Sequence, residues 1–377
     1  MHRPHRRGLF VTEPGRRKQM VDRYDVVVAG AGLAGTTAAF ALSDESNVLL
    51  IDSGEVGDGA TGVGAGIASP ILARKGNPTY MARNALDALD QLCETVGVVT
   101  DRGRPLLRPA FDEAQVAYYQ RAAERHPDLA SWLTPEVTGE RFPTIRAELG
   151  ALEVRRGNVV NLGDFSRSVA LGAKARGCAV VQECELLSWS ETESNLVVKL
   201  RDHLEGERAV RASRLILALG AGYRQFPSLT KLNLHPIKGQ TIRAERPQTL
   251  NAVPNITGPG YLANDGADIV LGSTFEHNSF DTNPSDAATA AILRLIHPIV
   301  PAVSSTSEFE ARAGVRVTVP GTRLPMIGPI SSSERVWIYT GLGSKGLLMA
   351  PLLSAQLSTF LRDSQQIPEK MRVSFLP

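Results

Sequence analysis

Residues 24–35 read Tyr-Asp-Val-Val-Val-Ala-Gly-Ala-Gly-Leu-Ala-Gly, and they are the strongest indication of the fold in this sequence. The β-branched run at 26–28 predicts a buried strand, and Gly30, Gly32 and Gly35 follow with the GxGxxG spacing of a strand-to-helix turn. Gly30 allows the tight turn, Gly32 lets the backbone approach a pyrophosphate, and Gly35 lets the helix pack on the strand. The helix N-terminus then offers free N–H groups to phosphate. The motif therefore predicts a dinucleotide site.

An acidic residue follows the predicted second strand. A helix over 36–42 stops at the polar turn 43–47, and the apolar run 48–51 then ends in Asp52. Asp52 lies 22 positions after Gly30, where a carboxylate can accept hydrogen bonds from a ribose diol. No cationic residue adjoins Asp52, so the pattern argues against NADP at this site.

A second glycine cluster occupies residues 57–70, Gly-Asp-Gly-Ala-Thr-Gly-Val-Gly-Ala-Gly-Ile-Ala-Ser-Pro. So many glycines would destabilise the interior of a helix or strand, so the main chain is expected to approach a ligand closely here. In a nicotinamide dehydrogenase a second crossover helix usually follows the second strand. A glycine loop at this point instead looks like the flavoprotein superfamily in which the loop after the second strand wraps the FAD.

With these features the chain resembles the FAD-dependent D-amino-acid oxidase superfamily. That superfamily includes glycine oxidase, sarcosine oxidase and the oxidase half of the bifunctional tRNA 5-methylaminomethyl-2-thiouridine biosynthesis protein. The resemblance covers nearly all of residues 22–365, and four further parts of the chain support it: residues 164–169, which would cap a helix ending at Gly177, residues 214–222, residues 313–316 with 323–329, and residues 339–347. Segments 324–328, 341–347 and 272–277 look most similar to the tRNA-modifying branch, whereas the glycine loop at 57–66 differs from it.

The resemblance implies an α/β fold, with a Rossmann-like FAD/NAD(P)-binding domain and a second, mixed-sheet substrate domain. The FAD-binding domain is expected to be discontinuous, over 21–75, 145–232 and 312–377. The substrate domain would take 76–144 and 233–311. Patterning within the second domain predicts helices at 78–96, capped by Asn77, and at 112–125, with strands near 237–243, 261–263, 269–272 and 311–319.

The cofactor implied by the resemblance is FAD. Non-covalent binding is expected, because the cysteine that anchors flavin in part of the superfamily lies near the last helix and no cysteine follows Cys184 here. A helix beginning near Gly346, with Lys345 beside it, would stabilise negative charge on the reduced flavin near N1 and C2=O. The expected cofactor-binding residues are Gly30, Ala31, Gly32, Leu33, Ala34, Gly35, Asp52, Ser53, Ala60, Thr61, Gly64, Ala65, Gly66, Leu186, Ala218, Gly220, Gly343, Ser344, Lys345, Gly346 and Leu347.

Four residues are candidates for the chemistry, and Lys345 is one of them. Arg316 matches the superfamily's carboxylate-binding arginine, with a structural salt bridge as the alternative. Tyr261 could close the substrate pocket with its hydroxyl or be a half-buried core residue. His277 could assist deprotonation of an amine or be an ordinary surface or core histidine. Gln240 lies in a strand segment that the resemblance places near the flavin face.

Charge and composition limit the partners. The formal net charge is +2, but residues 1–20 hold six basic residues and one acidic residue, so residues 21–377 carry a net charge of −3. The first segment is expected to be a disordered basic extension, with a targeting or RNA-contacting arm as the alternative. A mildly acidic body disfavours broad nucleic-acid binding. The three cysteines lack metal-site spacing and are typical of a reducing, cytoplasmic protein, and no apolar run is long enough to span a membrane.

The leading hypothesis is an FAD-dependent oxidase or dehydrogenase of a small amine or amino acid. Hydride transfer from the substrate to flavin N5 would give an imine that water hydrolyses. Oxygen or another electron acceptor would then reoxidise the flavin. Two alternatives stay open: a stand-alone oxidase of a carboxymethylaminomethyl group on tRNA wobble uridine, and a non-catalytic flavin-binding protein.

Overall fold

The computed structural model describes residues 22–100, 103–306 and 308–376, so the predicted N-terminal extension lies outside the described residues. The helices are α1 (Leu33–Leu42), α2 (Ala82–Thr95), α3 (Glu113–Arg125), α4 (Pro135–Arg141), α5 (Leu162–Ala175), α6 (Asp286–Ile296), α7 (Gly346–Ser354) and α8 (Leu357–Arg362). In its described part the chain has no helix with the length and apolar character needed to cross a bilayer.

The strands belong to two large sheets and one short ribbon. In chain order they are β1 (Arg23–Ala29), β2 (Val48–Ile51), β3 (Ala65–Ala68), β4 (Leu106–Pro109), β5 (Ala130–Leu133), β6 (Ala151–Val154), β7 (Asn158–Asn161), β8 (Ala179–Val181), β9 (Cys184–Glu191), β10 (Leu196–Asp202), β11 (Gly206–Leu217), β12 (His235–Glu245), β13 (Asn255–Thr257), β14 (Tyr261–Asp265), β15 (Asp268–Gly272), β16 (Glu276–His277), β17 (Glu310–Thr318), β18 (Met326–Ile330) and β19 (Ser333–Thr340).

The first sheet contains the predicted dinucleotide-binding unit. Its order is β18–β19–β11–β1–β2–β8, with β10 beside β11 and β9 beside β10. β1 pairs in parallel with β2 and β11, so the carboxyl ends of these strands meet at one edge. Val26 and Val28 pack in one core with α1 and α5, while Val27 and Leu49 pack in another with residues of β9 and β10. Burial on both faces explains the unbroken apolar sequence of these strands.

The second sheet is the predicted mixed sheet. Its order is β16–β12–β15–β14–β13–β4–β6–β5, and β17 also pairs with β12. All its pairings are antiparallel except that between β13 and β4. Ile292 and Ile296 of α6 pack in a core with Ile242 and Leu271, which covers one face of the sheet. The other face is turned toward the first sheet, as the contacts of the site described below establish. The fold predicted from the sequence is confirmed.

The starts of α2 and α5 differ from the sequence prediction, and α1 begins at Leu33, three residues before the predicted start. Helix α2 begins at Ala82 and not at 78, because the backbone ahead of it pairs elsewhere: Thr79 donates to the Pro70 carbonyl at 2.7 Å. Asn77 therefore does not cap this helix. Helix α5 is capped by Asn161, whose side chain accepts from the Asp164 backbone N–H at 2.9 Å, so Asp164 lies in the first turn and is not the cap.

The sheet to which two strands belong differs from the domain to which the sequence assigned them. β6 and most of β17 fall in segments that the sequence assigned to the FAD-binding domain, yet both strands pair within the second sheet. The domain division itself stays a prediction. We propose that β6 and β17 belong to the substrate domain, because their backbone hydrogen bonds are made there.

Candidate active site

A cavity of about 870 Å³ lies between the two sheets. Its floor is formed where parallel strands of the first sheet end, at Gly30, Asp52 and Ala218. Its opposite wall is the face of the second sheet that carries Tyr261 and Arg316. Ligands of open parallel sheets bind at the carboxyl ends of the strands, so the cavity is in the position expected for a bound nucleotide.

The glycine turn after β1 is fixed by close backbone contacts. Gly30 has a φ of +102°, and a side chain there would place Cβ 2.4 Å from the Ala218 carbonyl oxygen. A Cβ on Gly35 would lie 1.7 Å from the Gly30 oxygen. Helix α1 starts at Leu33 with no side-chain cap from Gly32, and the Leu33 N–H donates weakly, at 3.3 Å, to the Thr61 hydroxyl. The first turn of α1 therefore presents backbone donors at the cavity.

Asp52 is held at the end of β2 by backbone donors. Its Oδ2 accepts from the Ala31 N–H at 2.5 Å, and its Oδ1 accepts from the Gly54 N–H at 2.9 Å. These bonds orient the carboxylate beside the glycine turn. The side chain also lines the cavity.

The glycine loop, residues 57–66, connects the two sheets. Its Val63 carbonyl accepts from the Thr241 hydroxyl of β12 at 2.5 Å. A Cβ on Gly314 of β17 would lie 2.7 Å from Val63 Cγ2, and a Cβ on Gly64 would lie 3.0 Å from the Tyr261 hydroxyl oxygen. The loop therefore lies directly against the second sheet, and glycine on both sides makes this approach sterically feasible.

Helix α7 borders the cavity next to the end of β19, the last strand of the first sheet. The helix begins at Gly346, as predicted, after a turn in which Gly343 has a φ of +55°. The Lys345 ammonium donates to the Arg323 carbonyl at 3.3 Å, and Lys345 is not among the residues that line the cavity. Burial and the neighbouring Arg323 guanidinium lower the Lys345 pKa. The positive end of the helix faces the cavity, but the lysine side chain does not.

Most of the predicted cofactor residues line this one cavity. Those that do so are Gly30, Gly32, Leu33, Ala34, Asp52, Ser53, Ala60, Thr61, Gly64, Ala65, Gly66, Leu186, Ala218, Gly220, Gly343, Ser344, Gly346 and Leu347. Ala31, Gly35 and Lys345 lie outside the lining. Ala31 still acts through its N–H on Asp52, and Gly35 through its contact with Gly30.

Arg316 reaches into the cavity from β17. Its side chain crosses Gly239 of β12, where a Cβ would lie only 2.6 Å from Arg316 Nη2. Nη2 donates to the Thr274 carbonyl at 3.3 Å, and the guanidinium carbon lies 4.8 Å from the centre of the Phe275 ring. Within the described ranges no carboxylate forms an ion pair with it. Burial lowers the pKa of the guanidinium, which still remains charged at any pH of interest.

Tyr261 faces the same space from β14. It lies opposite Gly272 of β15, and a Cβ there would be 2.5 Å from the tyrosine ring. Burial raises the pKa of its hydroxyl to about 12, although the Arg316 and Arg243 guanidinium groups act in the opposite direction. The hydroxyl is therefore neutral and able to donate a hydrogen bond below pH 10.

His277 and Gln240 lie apart from this cavity. His277 is exposed on β16, and its Nδ1 is 2.8 Å from Nε2 of His235. Gln240 is fully buried and bonds to the start of α6, where its Nε2 donates to the Thr289 hydroxyl at 2.8 Å and its Oε1 accepts from the Ser285 N–H at 2.7 Å. Neither residue is part of the lining, so neither enters the proposal below.

Sequence reasoning missed several residues of the cavity wall. Gly239 and Thr241 position Arg316 and the glycine loop, and Phe275, which is 55% exposed, covers the Arg316 guanidinium. Arg108 of β4 also lines the cavity and is buried. The sequence feature that could have pointed to Arg108 is the occurrence of a single arginine within the apolar stretch Leu106–Pro109. In the described part of the chain, no group of three or more His, Cys, Asp or Glu residues could hold a metal ion.

The comparisons with known proteins agree with this geometry. A family model described as FAD dependent oxidoreductase matches residues 25–359, and the chain belongs to this family. The glycine oxidase of Geobacillus kaustophilus is 24% identical over 356 aligned residues, covering 88% of this chain and 91% of the relative. The bifunctional tRNA 5-methylaminomethyl-2-thiouridine biosynthesis protein MnmC of Thiobacillus denitrificans is 25% identical, covering 89% of this chain but only 56% of that protein.

Solved structures show the same fold. The crystal structure of glycine oxidase from Geobacillus kaustophilus has a TM-score of 0.78 at 20% identity, covering 91% of this chain and 95% of that one. The iminodiacetate oxidase of Chelativorans sp. BNC1 also has a TM-score of 0.78, at 23% identity, covering 92% and 98%. The predictions of an FAD-dependent enzyme and of the D-amino-acid oxidase superfamily are confirmed.

Proposed function

We propose that this member of the FAD-dependent oxidoreductase family oxidises the carbon–nitrogen bond of a small amino acid or secondary amine that carries a carboxylate. The observation that carries the proposal is the Arg316 guanidinium, which lies in the cavity beside Tyr261 without a carboxylate partner among the described residues. A planar guanidinium binds a carboxylate through two parallel hydrogen bonds. A substrate carboxylate would complete this incomplete charge pair.

The cavity fits FAD by the chemistry of its donors. The first turn of α1 would hold the pyrophosphate, and Asp52 would accept from the adenosine ribose. The glycine loop at 57–66 would follow the rest of the cofactor to the Tyr261 wall, and the positive end of α7 would stabilise negative charge on it. We propose non-covalent binding, because Cys184, which lines the cavity next to Leu186, is buried and its pKa is raised to about 11.

The substrate end of the cavity carries positive charge. Arg108 and Arg316 line it, whereas the lining carboxylates, Asp52, Asp58 and Glu185, come from the nucleotide-binding side. Neither a histidine nor a lysine is among the described lining residues. Two nearby guanidinium groups disfavour a protonated amine, so this wall would lower the pKa of the bound amine and keep the reactive, neutral form.

The remaining chemistry follows from that neutral amine. When bound, FAD supplies N5 as the acceptor of the hydride that leaves the carbon next to nitrogen. Loss of a proton from nitrogen gives an imine, which water hydrolyses to a carbonyl compound and a free amine. Arg316 would fix the carboxylate, and the neutral Tyr261 hydroxyl would donate to the same group. The two side chains thereby orient the reacting C–H bond.

Anaerobic flavin reduction tests this proposal. Purified holoprotein is mixed without oxygen with glycine, sarcosine, both enantiomers of common amino acids and N-carboxyalkyl amino acids, and flavin bleaching is followed. At least one carboxylate-bearing amine should reduce the flavin, and Arg316→Ala should slow that reaction about 100-fold or more. Arg312→Ala is the matched control, because Arg312 lies on the same strand but is exposed and paired with Glu310 at 2.7 Å. If no such amine reduces the flavin, the proposal is wrong.

A second candidate is oxidation of a carboxymethylaminomethyl group on tRNA, favoured by the relatives named MnmC at 25% to 29% identity. The net charge of −3 over residues 21–377 gives no general attraction for RNA. Mass analysis of tRNA nucleosides from a deletion strain separates the two candidates. Accumulation of the carboxymethylaminomethyl nucleoside would favour the tRNA reaction, and its absence would leave the small-molecule reaction.

A further inference from the structure

A second arginine in the cavity wall has no counter-ion among the described residues. Arg108 of β4 is only 5% exposed and lines the same cavity as Arg316. Its Nη1 donates to the Thr257 hydroxyl at 3.2 Å and its Nη2 to the Leu72 carbonyl at 3.1 Å. Over the described ranges, no carboxylate lies within ion-pair distance of the guanidinium, and its buried Nε has no hydrogen-bond acceptor.

A buried arginine without a carboxylate partner is unusual. Arginine is rarely buried unless it is paired, because removing its charge from water is costly. Arg243, on β12 of the same sheet, has the ordinary arrangement: its guanidinium contacts the carboxylates of both Asp265 and Asp268. The two neutral oxygens around Arg108 and the Tyr119 ring, whose centre lies 5.9 Å from the guanidinium carbon, orient the guanidinium but do not neutralise it. An anion entering from the cavity would supply the missing negative charge.

The sheet register places Arg108 and Arg316 on opposite sides of Tyr261. Thr257, which holds Arg108, lies opposite Tyr261 in the pairing of β13 with β14. Gly239, which Arg316 crosses, is on β12, separated from β14 by β15 alone. Thr257, Tyr261, Gly272 and Thr241 are in register across these strands, and Gly239 lies two residues along β12 from Thr241. Three strand spacings across the sheet and two residues along it thus separate Gly239 from Thr257, which is roughly 16 Å. Tyr261 stands between them.

That separation defines the ligand. The Arg316 guanidinium lies over Gly239 and the Arg108 guanidinium bonds to Thr257, so the two groups are about this far apart. A carboxylate carbon in a bidentate pair lies about 4 Å from the guanidinium carbon, which leaves roughly 8 Å between two bound carboxylate carbons. A chain of about six bonds spans this distance. An amine nitrogen or α-carbon within such a chain would then lie in front of Tyr261, between the two charges.

We propose that Arg108 is a specificity-determining residue that binds a second carboxylate of the substrate. The preferred substrates are then dicarboxylic amines, such as amino acids with an acidic side chain or N-carboxyalkyl amino acids. Glycine and sarcosine would leave the Arg108 guanidinium buried without an anion. This inference rests on the proposed oxidation of a carboxylate-bearing amine and names its substrate class.

Matched substrate pairs test the inference on the wild-type holoenzyme. Each pair differs by a carboxylate in place of a methyl group: N-(3-carboxypropyl)glycine against N-butylglycine, and both enantiomers of 2-aminopimelate against those of 2-aminoheptanoate. The rate constant of anaerobic flavin reduction divided by the apparent dissociation constant is measured for each. At least one dicarboxylic member should exceed its monocarboxylic partner by about 100-fold.

Variants of Arg108 test whether this residue causes the preference for dicarboxylic substrates. Arg108→Gln should lower the value for the dicarboxylic substrate about 100-fold and that for its partner less than threefold, whereas the control Arg312→Gln should leave both unchanged. Arg108→Lys keeps the charge and should retain part of the preference, which keeps the test usable if the glutamine variant loses FAD. Equal reduction by both members of every pair, or an equal loss on both in Arg108→Gln, would overturn the inference and leave the proposed oxidation intact. If neither member of any pair, nor any other amine, reduces the flavin, both proposals fail.

Discussion

Gly239→Ala should misplace Arg316 without unfolding the protein. The new Cβ would lie 2.6 Å from Arg316 Nη2, 3.1 Å from its Cζ and 3.2 Å from the Thr274 oxygen. Ordinary contact needs about 3.5 Å, so the guanidinium must move by about 1 Å. The displaced group is the end of a flexible side chain, and we therefore expect a change of less than about 1 kcal/mol in the free energy of unfolding.

The cost should appear in carboxylate recognition. Displacing a bidentate donor by about 1 Å is expected to weaken transition-state binding by about 10- to 100-fold. The assay is anaerobic flavin reduction by an amino acid and by its methyl ester, together with acetate binding read from the flavin absorption. Only the amino acid and acetate should lose affinity.

Gly139→Ala is the matched control, because Gly139 lies in α4 with no atom within 4 Å of the added Cβ. It should leave flavin reduction unchanged. If Gly239→Ala binds acetate as the wild type does, the Arg316 contact with carboxylate is refuted. If it slows the ester as much as the acid, the new methyl group blocks the site directly, and the positional argument fails.

Three further changes have definite expected outcomes. Gly30→Ala should lower the free energy of unfolding by about 3 kcal/mol in apoprotein denaturation curves, because its φ is +102° and its Cβ would meet the Ala218 carbonyl at 2.4 Å; an unchanged midpoint would contradict this. Burial raises the pKa of Tyr261 to about 12, so its contribution to the free energy of unfolding should be complete below pH 10 and lost as the pH rises toward 12. Tyr261→Phe should reduce this loss of stability at alkaline pH. The same variant should slow flavin reduction about tenfold, with no change in the pH profile of that reaction between pH 6 and 9. Asp281→Asn removes the carboxylate that lies 2.5 Å from the ammonium of Lys238, a residue that is only 4% exposed, and should lower the thermal midpoint. Adding Lys238→Met should restore the midpoint. The Lys238 ammonium lowers the Asp281 pKa to about 2, so the contribution of this ion pair to stability is present above pH 4 and lost as the pH falls toward 2.

The nucleotide half of the site could be predicted from sequence because its determinants are local. Gly30, Gly32 and Gly35 lie within six positions of one another, and their roles follow from φ angles and contacts with adjacent elements. Asp52 follows directly from the end of a strand. Such features depend on short stretches of chain, which sequence patterns describe well.

The substrate wall depends on strand register, which the sequence does not reveal. Arg108 meets Thr257 across 149 positions because β4 pairs with β13. Gly239 has its importance only because Arg316 crosses it. Register also separates residues that looked functional: Gln240 alternates with Gly239 along β12, so its side chain points to the opposite face, toward α6. Lys345 turns to the Arg323 carbonyl for a related reason, since only tertiary contacts choose its rotamer.

The hydrogen bond from the Thr241 hydroxyl to the Val63 carbonyl couples binding of the cofactor to the shape of the substrate pocket. The loop that would lie along the FAD also supports the strand that carries Gly239, so ordering one by the cofactor orders the other. The amides of β12 should then exchange hydrogen faster in apoprotein than in holoprotein. Under the proposed function, substrate selectivity would thus be acquired when the cofactor binds, and a variant of the loop should alter which amine is oxidised without contacting that amine.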